Sequence, residues 1–113
     1  MGIKAHVAKT YRIEYGTVHL NHCQPVVNRL LYASCGGFNF TGENVESAEH
    51  IEVPREDLRD AIEVFKTHPN LIGDLLNKNA INRSYSPQDI IKNLEEWLTS
   101  SDQTNSFIAV DWF

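Results

Sequence analysis

Two stretches of this chain carry residue types that could do chemistry at close spacing. The first is His19-x-x-His22-Cys23, with Cys35 further on. Imidazole nitrogen and thiolate sulfur are the usual zinc ligands; structural sites use four of them, and catalytic sites use three plus a water. Residues 24–35 read as helix, and a straight helix would separate Cys23 from Cys35 by about 18 Å. One ion cannot hold both. The metal site open to this sequence is therefore His19, His22 and Cys23 with water, joined by His6 or His50. The competing expectation is a turn histidine pair beside a buried cysteine, and no cofactor is expected.

The same residues pose a question of nucleophilic catalysis. Cys35 stands before Gly36-Gly37, where glycines would expose a thiol, but the end of a helix disfavours a thiolate because the dipole is negative there. Cys23 precedes a helix and has the better electrostatics, with His22 as sequence neighbour. No acid or orienting residue is recognisable beside either thiol, and free cysteine is among the most buried residue types. Two inert buried thiols are expected, with a small metal- or thiol-dependent enzyme centred on His19, His22 and Cys23 as the alternative function.

The second stretch is an acidic ladder, Glu43, Glu46, Glu49 and Glu52, continued by Glu56, Asp57, Asp60 and Glu63. Only Arg55 and Arg59 lie among them. The alternating ligands and central glycine of an EF-hand are absent. A concentrated negative field of this kind would steer a basic partner and speed association. Glu43, Glu46, Glu49, Glu52, Glu56 and Asp60 are accordingly the expected binding face.

The charge of the whole chain narrows the partners further. The formal net charge is −5, divided between a mildly basic stretch up to residue 42 and a strongly acidic one after it. That balance argues against a nucleic-acid binder, which depends on many phosphate contacts from Lys and Arg. No apolar run reaches the roughly 18 residues of a membrane span. The first residues lack the apolar core of a signal peptide, and two cysteines make no secreted disulfide framework, so a cytoplasmic location is expected. The sequons at Asn39 and Asn82 then read as chance matches. Phosphate-binding loops, G-x-S-x-G, H-E-x-x-H and kinase signatures are all missing.

The elements that must position these groups follow from periodicity. With 113 residues, the chain fits one domain, residues 1–113. Ile3, Ala5, Val7, Tyr11, Ile13 and Tyr15 alternate with polar residues and predict one long strand over 3–15, with Lys9 marking a bulge or an edge and a turn at Gly16-Thr17. Val26, Val27, Leu30 and Leu31 form a helical stripe that Gly36-Gly37 ends. Phe38 and Phe40, then His50 to Val53, read as short strands. Leu58, Ala61, Ile62 and Phe65 predict a second helix, ended by Pro69, and Leu71 to Leu76 a shorter third. Ser86-Pro87-Gln88-Asp89 is a clear helix start, leading into Ile90, Ile91, Leu94, Trp97 and Leu98. Phe107 to Phe113 is a final strand, apolar on both faces.

The order β-α-β-β-α-α-α-β lacks βαβ alternation. It predicts an α+β fold: a mainly antiparallel sheet with helices on one face and the N- and C-terminal strands paired. The apolar final strand is either covered on both sides or forms a homodimer interface, by sheet pairing or face packing. The leading functional expectation is a small non-enzymatic module that binds another protein, of inhibitor, immunity or regulatory type, through the acidic 43–63 region or the aromatic C-terminal strand.

Overall fold

The computed structural model describes residues 3–10, 14–18, 20, 22–78 and 85–113. The chain alternates first as two strands, β1 (Ala5–Thr10) and β2 (Glu14–Val18), which pair antiparallel. This corrects the single strand expected over 3–15 and the turn expected at Gly16-Thr17, since both residues lie within β2. Pairing sets Tyr15 opposite Ala8 and Gly16 opposite Val7, so Tyr15 does not continue the Ala5 and Val7 row, while Tyr11 and Ile13 lie outside the described residues. The register shifts between Ala8 and Thr10, which puts the irregularity at Lys9, as the break in the apolar row predicts.

Helix α1 (Gln24–Ser34) begins with a proline in its first turn and buries Val26, Val27, Leu30 and Leu31. Strand β3 (Asn39–Thr41) and strand β4 (His50–Pro54) pair antiparallel across a long connection that contains a 3-10 turn at Val45–Ser47. Three helices follow. The second, α2 (Arg55–Thr67), carries Glu56 and Asp57 in its first turn and Lys66 in its last, both favourable to its dipole. After it comes the shorter α3 (Asn70–Lys78). The fourth, α4 (Pro87–Ser100), starts with a full capping box, in which Ser86 accepts from the Asp89 amide and Asp89 accepts from the Ser86 amide. Strand β5 (Phe107–Trp112) ends the fold.

The sheet order is β2-β1-β5-β4-β3, and every pairing is antiparallel. The first and last strands pair, with β5 in the centre, and the architecture is the expected α+β arrangement. All four helices bury their apolar stripes in one cluster with Ala5, Val7, Ile51, Val53, Ile108, Val110 and Trp112. Each of these side chains, fully buried, contributes on the order of 1.5–3 kcal/mol when large. Strand side chains alternate, so the other face of the sheet carries His6, Ala8, His50, Glu52, Pro54, Phe107, Ala109 and Asp111, all partly exposed. Strand β5 pairs with β4 from Phe107 to Asp111 and with β1 from Val110 to Trp112, so those stretches of its edges are taken up within the chain. Among the described residues, no helix is long and apolar enough to cross a membrane.

Candidate functional site

The open face of the sheet gathers charge in its middle. Register aligns His6 of β1, Asp111 of β5, His50 of β4 and Thr41 of β3 in one row across four strands. Directly opposed residues in an antiparallel pair stand close enough for side chains to meet, and Asp111 is flanked by a histidine on each side. It engages only one. His50 Nδ1 lies 2.7 Å from Asp111 Oδ1. An ionised carboxylate can only accept, so Nδ1 carries the proton and Nε2 is left facing Glu52 Oε2 at 3.9 Å. His6 instead stacks on Phe113, with ring centroids 3.7 Å apart and planes 6° from parallel.

Beside this pair is a shallow depression of about 450 Å³ lined by Thr41, Gly42, Ser47, Glu49, His50 and Asp111. Its outer wall is the connection from β3 to β4, which buried polar groups hold in place. Asn28 of α1 is fully buried, and its Nδ2 donates to the carbonyls of Val45 (2.9 Å) and Ala48 (3.0 Å). Its Oδ1 accepts from Trp112 Nε1 at 3.0 Å. Gln24 donates to the Ala48 carbonyl at 2.8 Å, and the Trp112 amide donates to the Glu49 carbonyl at 2.8 Å. Gly42 takes φ +118°, a conformation side chains oppose. The depression is thus shaped by α1 and β5 as much as by its own lining.

What this arrangement can do chemically is limited by its neighbours. A His–Asp pair orients an imidazole for proton transfer, yet Nε2 faces Glu52, and the Ser47 hydroxyl donates to the Asn44 carbonyl at 3.4 Å. The result is a half-exposed, hydrogen-bonding surface carrying the carboxylates of Asp111, Glu52 and Glu49.

The expected site residues fall in several places. His19 lies outside the described residues. His22 is exposed with φ 66°, while Cys23, its neighbour, has no exposed surface. Among the described residues, no group of three or more His, Cys, Asp or Glu side chains is placed to hold a metal ion. Burial pushes the Cys23 thiol up to about 12, so desolvation outweighs the favourable start of α1. Cys35 is also pushed up to about 12, by burial first and by Asp57 second. Burial therefore disfavours the thiolate at both positions.

The acidic ladder is dispersed rather than presented as one face. Glu43 and Glu49 are exposed on the connection, and Glu46 pairs with Arg29 at 3.0 Å. Glu52 stands on the open sheet face. Glu56, paired with Arg59 at 2.7 Å, and exposed Asp60 belong to α2, which packs on the opposite face of the sheet. Asp111 escaped the sequence reading, although it is the single charged residue between Phe107 and Phe113. That isolation in an apolar strand was the available signal. Comparison with known proteins finds no matching family model, no similar curated protein and no similar solved structure.

Proposed function

We propose that this chain is a non-enzymatic protein-binding module whose open sheet face docks a partner with a basic surface. One observation carries the reading: β4 and β5 are neighbours, so part of the acidic segment and the aromatic C-terminal strand share a single face. The two features that separately suggested binding become one surface. Phe107, Ala109, Pro54 and the exposed Phe113 supply apolar area, Glu52, Asp111 and Glu49 supply negative charge, and Lys4 lies at the margin. Interfaces of this mixed kind use apolar contact for affinity and charge for steering and register. A second copy is the poorer occupant, because face-to-face packing would bring like carboxylates together. An inhibitor or immunity-type protein covering a basic enzyme is the concrete form of the proposal. A cytoplasmic location accords with two buried, unpaired cysteines.

The test compares partner profiles captured by three immobilised proteins: wild type, the open-face variant Glu52→Lys/Asp111→Asn, and the α2 variant Glu56→Lys/Asp60→Lys. Circular dichroism checks that each is folded. The expected result is a captured protein retained by wild type and the α2 variant and lost by the open-face variant, with salt-sensitive association. Equal capture by wild type and the open-face variant overturns the proposal, as does a wild-type dimer in light scattering that the open-face mutations strengthen.

A further inference from the structure

The sheet order leaves β3 at an edge, with β4 as its partner on one side and no strand on the other among the described residues. An edge strand presents a row of backbone N–H and C=O groups, and proteins commonly blunt it by keeping it short or with lysine, proline or a bulge. Asn39-Phe40-Thr41 is short, at three residues, and carries no lysine or proline. An aromatic group borders the edge. Tyr32 of α1 is 51% exposed, and its ring centroid lies 6.0 Å from those of Phe38 and Phe40, edge-to-face in both cases. Phe40 pairs with the buried Ile51, so these rings lie on the helical side of β3. On the other side Asn39 and Thr41 are exposed beside Glu52 and His50, and Glu43 follows the strand.

The chain entering this edge is fixed before anything binds. The Gly37 amide donates to Asp57 Oδ2 at 3.2 Å, and a Cβ at Gly37 would stand 2.6 Å from Pro54 Cγ. That approach pins the start of β3 to the junction of β4 and α2. We infer that β3 and Tyr32 form a strand-addition groove for an extended partner segment, apolar at alternate positions and basic at the others. Strand addition draws affinity from main-chain hydrogen bonds and specificity from alternate side chains. Here the apolar side chains would rest on Tyr32 and Phe40, and the basic ones would face the side of Glu52. A second copy's β3 fits less well, since Asn39 and Thr41 bring no positive charge to that side.

The probe is a capped, fluorescent six-residue peptide alternating valine with lysine, titrated against the full chain by fluorescence polarisation. Within a strand, residues of one parity direct their amides to the same edge. Two further peptides, N-methylated at every valine or at every lysine, therefore separate backbone pairing from charge attraction. Saturable binding is expected, with one methylated peptide weakened at least about tenfold and the other unchanged. Tyr32→Ala, at an exposed position, is expected to weaken binding about fivefold with an unaltered melting temperature. Glu96→Gln, at an exposed position on α4, leaves peptide binding as it was, and the open-face capture experiment is read independently of this titration. Absence of saturable binding, or equal binding by all three peptides, overturns the inference. So does self-association abolished by Tyr32→Ala, which would make a second copy the occupant.

Discussion

Replacing Asn28 by alanine tests whether the wall of the depression is held from the core. The side chain makes three hydrogen bonds at a site with no exposed surface. Two of its partners keep a substitute: the Ala48 carbonyl retains Gln24, and the Val45 carbonyl retains the Ala48 amide at 3.3 Å. The Trp112 indole N–H loses its partner, and Trp112 is 2% exposed. An orphaned buried donor costs about 2 kcal/mol and each lost neutral bond about 0.5 kcal/mol, so the variant should lose about 3 kcal/mol. For a domain of this size that lowers the melting temperature by about 12 °C. Gln24→Ala is the matched control. It removes one bond whose acceptor keeps Asn28, and should cost about 1 kcal/mol. Thermal melts and urea titrations give both values, and hydrogen exchange should show faster amides at residues 46–49 in the Asn28 variant. Equal losses for the two variants would refute the reasoning, because they would show that the indole and the connection do not depend on Asn28.

Two further predictions concern other buried groups. Arg55 is 7% exposed, and its guanidinium donates to the carbonyls of Leu98, Asp102 and Asn105 at 2.9, 2.7 and 3.2 Å; burial first, and Arg59 second, lower its pKa. Arg55→Lys should lose about 3 kcal/mol in urea titration, since an ammonium cannot reproduce a planar fork spanning three carbonyls, and wild-type stability in that variant would contradict this. Cys23 and Cys35 should resist alkylation at pH 8 until the protein unfolds, because both thiols are pushed up to about 12 from 9.0. The unfolded chain releases these protons first, so stability should fall as pH rises above 9.0, by about 1.4 kcal/mol per pH unit for each thiol. Cys23→Ala should show the shallower slope.

Most elements were legible because their signals lie within one segment. The stripe Leu58, Ala61, Ile62, Phe65 recurs at the helical period, and Ser86-Pro87 with Asp89 encodes its own cap, so α2 and α4 stand where spacing places them. The alternation of Phe107 to Phe113 likewise sorted its two faces. The first strand was harder, since Ala5, Val7 and Tyr15 share one parity in sequence, whereas strand pairing sets Tyr15 opposite Ala8. The acidic ladder misled in a different way. Proximity in sequence gathered Glu52, Glu56 and Asp60, but the chain passes from strand to helix between them and carries them to opposite sides of the sheet.

The sequence by itself determined the kinds of element, the buried stripes and the pairing of the terminal strands in an α+β fold. Only the tertiary structure decided which polar groups meet. His50 and Asp111 are separated by 61 residues, and nothing local in either segment names the other. Their contact depends on β4 and β5 pairing in one register, and a slip of a single residue in either strand would turn its own member of the pair to the core face and part the two. The same holds for Asn28, whose three partners come from a turn and from the last strand. Local spacing fixes which face of an element is apolar, whereas strand order and register fix what stands beside it.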